Sequence, residues 1–430
     1  MLLRKLLLSV LLVAAAVLVV ACGSDATPIY TAVVDAGSSG TRMFLYKVTP
    51  AAYPLVEKLT ELEFDKQEDG INDFINSAGG PKLNLGPNDV GPWVIGPLLD
   101  GIKPKLAELG VRTSDVQVDL LATAGMRNEL APIGKHTQAE IDAFYAIIRS
   151  YIGTQGFSAG EVRTSDGNSE EGKWTWVNLN DRYYKVFTSN TSPVGVVEVG
   201  GASTQISYPT SAAPSDSANI YRVSINGKTF NVFNRTYLGL GQDDARKAMR
   251  LETPPNDGGV RCFPTDLAVA SEAGDVIDGV AVKIASTAVF NYASCSASFD
   301  AVVNAKFAQL GNPGVGSSSG SFVGIDGAYY ALQYWNLDAA PTRSDFSAKI
   351  QDQCASAKNF TDIATVKYVQ RQCASASYIN ALLYGGSGLF SATPDKFART
   401  LQSKAVDAAG SVDTVLTWTR GYLMLKYAQP

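Results

Sequence analysis

Apolar residues first form one unbroken run, residues 6–21, and then break into short blocks of two different periods. A β-branched run at residues 29–34, a buried-type block at 118–122 and an apolar block at 194–199 predict strands. Residues 42–48 read as a second strand across a glycine–serine turn, and 205–208 as the partner of the third block. Apolar positions every three or four residues predict helices at 94–109, 139–152, 242–250, 296–310, 328–335, 378–384 and 422–427. The glycine–serine stretch 311–320 reads as a surface loop. Strands and helices mix along the whole chain, which predicts an α/β class.

The leading run follows Arg4 and Lys5, and at about sixteen residues it is shorter than a comfortable membrane span. It therefore predicts an export signal, residues 1–21. Val20-Ala21-Cys22-Gly23 at its end resembles the bacterial lipobox, in which Cys22 becomes the lipidated first residue. Residues 22–28 then form a polar tether, and the expected location is a membrane surface facing the periplasm or cell exterior. Export favours disulfides among the other four cysteines, Cys262, Cys295, Cys354 and Cys373. Three pairings are possible, and short loops favour Cys262–Cys295 with Cys354–Cys373. A zinc site is disfavoured, because no CxxC spacing occurs and the chain has 1 histidine. A net charge of −5 argues against a nucleic-acid binder but leaves room for a locally positive nucleotide pocket.

One internal repeat carries most of the chemistry. Val33-Val34-Asp35-Ala36-Gly37-Ser38-Ser39-Gly40-Thr41 matches Val196-Val197-Glu198-Val199-Gly200-Gly201-Ala202-Ser203-Thr204 position by position. Each copy is a buried strand, a carboxylate and a tight turn of small residues. Such turns let backbone N–H groups converge on an anion, and the hydroxyls of Ser38, Ser39, Ser203 and Thr204 add donors without bulk. Asp35 and Glu198 stand where carboxylates can hold a hydrated cation beside phosphates. Two matched copies predict two similar lobes facing one cleft.

These residues, with Ala122-Thr123-Ala124-Gly125-Met126-Arg127, Glu170-Glu171-Gly172 and Gly200-Gly201-Ala202-Ser203-Thr204-Gln205, resemble the conserved regions of the apyrase, or nucleoside triphosphate diphosphohydrolase, family. The order and spacing agree over nearly the whole mature chain. The resemblance implies an actin-like fold of two lobes, residues 29–165 with 410–430 and residues 166–409, each built on a mixed five-stranded sheet. It implies hydrolysis of terminal phosphates of nucleoside di- and triphosphates, with Mg2+ or Ca2+ held through water by Asp35 and Glu198. Glu171 aligns with the catalytic base, Ser203 and Gln205 with residues that orient the attacking water, and Thr123 lies nearby. Gly37, Ser38, Ser39, Gly40, Thr41, Gly200, Gly201, Ala202 and Arg127 are the expected phosphate contacts. Glu198 departs from the family pattern, which has aspartate there. A monomer is expected. The rival readings are an exopolyphosphatase-like phosphohydrolase and a surface lipoprotein that binds nucleotides without turning them over.

Overall fold

The computed structural model describes residues 26–38, 40–64, 70–75, 85–252, 260–267, 276–277, 280–281, 288–318, 320–337, 341–361, 367–402, 404–405 and 414–429. The export signal, Cys22, the start of the tether and Ser39 lie outside the described residues. Two sheets organise the rest. The first has the order β3-β2-β1-β4-β5, formed by Ile29–Ala36 (β1), Thr41–Thr49 (β2), Leu55–Phe64 (β3), Val116–Ala122 (β4) and Ser158–Thr164 (β5). β1 runs antiparallel to β2 and parallel to β4, so it sits at the centre with Ala32, Val33 and Val34 wholly buried. Residues covered on both faces must be apolar in succession, which is why this strand reads as a continuous block.

The second sheet joins Gly195–Val199 (β6), Ser203–Thr210 (β7), Ile220–Ile225 (β8) and Lys228–Leu238 (β9) to strands Phe322–Asp326 and Phe397–Thr400. It has six strands rather than the five expected, in the order Phe397–Thr400, Phe322–Asp326, β6, β7, β9, β8. The additional strand is β8, folded back on β9 through Asn226 and Gly227, both at positive φ, as a two-residue hairpin turn demands.

The repeat seen in the sequence is a repeat of structure. β1 and β6 each turn into an antiparallel neighbour, with Ala36 opposite Thr41 and Val199 opposite Thr204. The same hydrogen bond closes both turns, Gly37 N–H to the Gly40 carbonyl and Gly200 N–H to the Ser203 carbonyl, each 2.9 Å. Each leading strand also has a parallel partner, β4 for β1 and Phe322–Asp326 for β6.

Helices Gly96–Glu108 and Gln138–Thr154 cover the outer face of the first sheet. Ile141, Tyr145, Ile148 and Ile152 recur at helical spacing on the buried side of the second of these, and Thr137 with Glu140 forms its capping box. Helices Tyr292–Leu310 and Gln372–Tyr384 belong to the core outside the second sheet. Two fully buried disulfides, Cys262–Cys295 and Cys354–Cys373, tie this side together, matching the favoured pairing.

A third core lies between the sheets and contains helices Gly172–Arg182 and Trp418–Tyr427. The two pack closely: the Trp174 ring lies 5.4 Å from that of Trp418 and 5.1 Å from that of Tyr422. Buried ion pairs fix the terminal helix on both sides, Lys426 with Asp119 on β4 at 2.7 Å and Arg420 with Asp181 at 2.8 Å. Among the described residues no helix is long and apolar enough to cross a membrane.

Candidate active site

Asp35 is the penultimate residue of β1 and Glu198 that of β6, so the hairpin turns that follow bring both carboxylates to one cavity. Gly37, Ser38, Thr123, Glu171, Gly200, Gly201, Ala202 and Ser203 line it as well. Two turns far apart in the sequence thus converge, as the repeat predicts. Helix Gln242–Glu252 shapes the second turn: the N–H groups of Gln242 and Asp243 donate to the carbonyls of Gly200 and Gly201 at 2.9 and 2.8 Å. With the Gly200 carbonyl pointing at that helix, trans peptide geometry turns the Gly201 N–H away from it. Gly241 must be glycine for this contact, since a Cβ there would lie 2.3 Å from the Gly201 backbone.

Glu171 ends a short helical turn, Gly167–Glu171, that is mounted on β9. Thr236 donates its hydroxyl to the Gly167 carbonyl at 2.6 Å, and Asn234 donates to the Asn168 carbonyl at 2.5 Å. The two adjacent glutamates have different surroundings. Glu170 turns outward and takes a two-point ion pair from Arg163, 2.8 Å at each oxygen, while also accepting from the Asp166 N–H. Glu171 is 7 % exposed and lines the cavity.

Some expected residues stand behind the cavity wall. Gln205 is buried and donates to the Ser203 hydroxyl at 2.6 Å. Gly40 closes the first turn through its carbonyl. Thr41 is fully buried at the start of β2, and Thr204 donates its hydroxyl to the Leu240 carbonyl. Arg127 points at Glu171, Nη2 to Oε2 2.6 Å, and also contacts Ser165 and Ser203.

The cavity also holds residues that the sequence reading missed: Arg42, Asp326, Leu416, Thr417 and Trp418. Arg42 faces Asp35 across the β1–β2 pair. Asp326 ends its strand next to β6 with a positive φ of 52°. A signal for it existed, because Ile325-Asp326-Gly327 repeats the apolar–acid–small pattern of the two known turns in shorter form.

Acidic side chains dominate this space. Asp35 is pushed up to about 7, first by burial, with Glu171 and Asp326 adding to the effect of burial and Arg42 opposing it. Glu198 is raised well above the usual carboxylate range, by burial and then by Asp326 and Glu171, although the Thr175 hydroxyl donates to it at 2.7 Å. A carboxylate-rich pocket of this kind fits a hard divalent cation. Among the described residues no three metal-binding side chains converge closely enough to ligate an ion directly.

Two related sheets presenting matched glycine turns to a shared cavity define an actin-like, two-lobed α/β protein. The fold is shared with a solved nucleoside triphosphate hydrolase structure from Neospora caninum, at a TM-score of 0.61 and 16 % identity, covering 98 % of this chain and 96 % of that one. The GDA1/CD39 (nucleoside phosphatase) family matches residues 23–429, and the chain belongs to it. It is an enzyme of that class. Similar relatives include "Probable apyrase 3" of Arabidopsis thaliana, 24 % identical over 93 % of this chain and 83 % of the relative. Ectonucleoside triphosphate diphosphohydrolase 3 of Homo sapiens is 23 % identical over 92 % of this chain and 77 % of its own length.

Proposed function

We propose that the protein hydrolyses the terminal phosphate of nucleoside tri- and diphosphates, using a water molecule activated by Glu171. One observation carries this reading: Glu171, Ser203 and both glycine turns border a single cavity, with Gln205 hydrogen-bonded to Ser203 behind it. The turns suit a phosphate chain, and the Glu171 carboxylate suits proton removal from water aimed at the terminal phosphorus. The water oxygen bonds to phosphorus, the bridging P–O bond breaks towards the shorter nucleotide, and the water proton passes to Glu171. Ser203 holds the water in line, with its hydroxyl oriented from behind by Gln205, and Thr123 borders the same space. Asp35 and Glu198 would hold Mg2+ or Ca2+ through its water shell. When bound, the cation neutralises phosphate charge that the carboxylate-rich wall would otherwise repel.

The test is phosphate release from ATP, ADP and inorganic polyphosphate, with Mg2+ or Ca2+ and then with excess chelator. Turnover of both nucleotides, lost with chelator, supports the reading. Turnover of polyphosphate alone would favour an exopolyphosphatase, and nucleotide binding without release a non-catalytic lipoprotein. Export and anchoring belong to the same proposal, with Cys22 as the lipidated residue. Cys22→Ala should free the protein from membranes or block its maturation, and retention of the variant after a high-salt wash would place the anchor elsewhere.

A further inference from the structure

We propose that Arg127 is the positioning residue of Glu171, and that its guanidinium serves the carboxylate rather than the substrate phosphates. The inference rests on Glu171 being the base, and it assigns Arg127 a different role from the phosphate contact the sequence suggested.

Both terminal nitrogens of the guanidinium are committed, while Nε is buried without a partner among the described residues. Nη2 lies 2.6 Å from Glu171 Oε2 and 3.4 Å from the Ser203 hydroxyl. Nη1 donates to the Ser165 carbonyl and hydroxyl oxygens, each at 3.2 Å. Ser165 is itself anchored, because its N–H and its hydroxyl both donate to the Ala122 carbonyl at the end of β4. Arg127 is thus braced against the first sheet while it grips a glutamate mounted on the second. Its side chain is 14 % exposed and does not line the cavity, whereas Glu171 does. To reach a phosphate it would have to leave a buried, charge-assisted pair, and a buried carboxylate stripped of its partner is strongly unfavourable.

The pair has two consequences for the reaction. With Oε2 held by arginine, Oε1 is the oxygen free to face a water. The same guanidinium touches the Ser203 hydroxyl, which accepts from Gln205. Base and water-orienting groups therefore form one connected network, Gln205–Ser203–Arg127–Glu171. A lysine could neutralise Glu171 but could not reach Ser165 and Ser203 at once, because its charge is a point and not a planar fork.

The test is a cycle of Arg127→Gln, Glu171→Gln and the double variant, read as kcat, KM and equilibrium affinity for ADP, with Arg127→Lys as the conservative arm. We expect Arg127→Gln to lower kcat about a hundredfold or more while KM and affinity stay within about threefold. Arg127→Lys should recover part of kcat. Adding Arg127→Gln to Glu171→Gln should cost almost nothing further, since residues that act as a unit are not additive. Retained ADP affinity also certifies that the variants are folded. A loss of affinity in Arg127→Gln that persists in the Glu171→Gln background would overturn the proposal and return Arg127 to the phosphates. That outcome leaves the base role intact, whereas an active Glu171→Gln would remove the base itself.

Discussion

Gly421 lies where helices Trp418–Tyr427 and Gly172–Arg182 touch, and replacing it tests how tightly the helix that begins beside Glu171 is held. A Cβ on residue 421 would lie 1.9 Å from the Trp174 carbonyl oxygen, 2.7 Å from its carbonyl carbon and 3.2 Å from the Asn178 nitrogen. Ordinary contact begins at 3.4 Å, so the helices must separate by up to about 1.5 Å, and every obstructing atom is backbone. That displacement would stretch the Asn178 to Thr417 hydrogen bond of 2.7 Å and the Arg420–Asp181 pair of 2.8 Å beyond useful length. Overpacking typically costs about 1–3 kcal/mol, and with buried bonds lost as well Gly421→Ala should cost about 3 kcal/mol or more. Gly153 is the internal control. It lies within helix Gln138–Thr154 with open space around it, so Gly153→Ala should stabilise by about 0.4–1 kcal/mol. Urea unfolding of both variants, followed by tryptophan fluorescence, reads the difference. A Gly421→Ala midpoint equal to that of the parent would refute the claim that backbone contact fixes this helix pair.

Other expectations follow from the carboxylates. Glu170→Gln should weaken its pair with Arg163 by about 1 kcal/mol and leave turnover within a few-fold, because that pair is partly exposed and turned away from the cavity; a loss as deep as that of a base variant would reassign the two glutamates. Asp35, raised from 3.8 to about 7, contributes stability that is complete below its unfolded value and declines as pH rises through the folded one. In chelator the parent should therefore lose unfolding stability between about pH 4 and 7, and Asp35→Asn should lose less; parallel pH profiles would contradict this. Glu198→Ala should lose most activity, whereas Glu198→Asp should keep it and shift preference towards Mg2+, as titration of phosphate release against Mg2+, Ca2+ and Mn2+ would record. An unchanged metal dependence in Glu198→Ala would exclude the position from the cation site.

What could be read from the sequence was what periodicity and repetition encode. Strands covered on both faces, such as β1, β4 and β6, appear as apolar blocks, and the helix over residues 138–154 shows its buried stripe. β5 did not, because Ser158–Thr164 carries a glutamate and an arginine and buries few of its side chains. β8 and β9 intersperse polar residues among apolar ones, and the asparagine and threonine that mount the Glu171 turn are themselves buried. The helix that follows Glu171, Gly172–Arg182, was hidden for another reason. It is buried nearly all round, asparagines included, so it has no polar face to mark its period. Within the site, the repeated turns and their acids were legible, whereas Arg42 enters through hairpin pairing with Asp35, and Asp326 through the pairing of its strand with β6 behind a shorter copy of the same pattern. The orientation of Arg127 depends on Ser165 and Glu171, neither of which its own motif contains.

The central claim, that Glu171 activates the attacking water, is tested most directly by Glu171→Gln, with phosphate release and ADP affinity measured on the same purified protein in saturating Mg2+. A positioned general base typically contributes about a hundred- to ten-thousandfold to the rate, and the account predicts a loss of that size with affinity nearly unchanged. Turnover within a few-fold of the parent would contradict it.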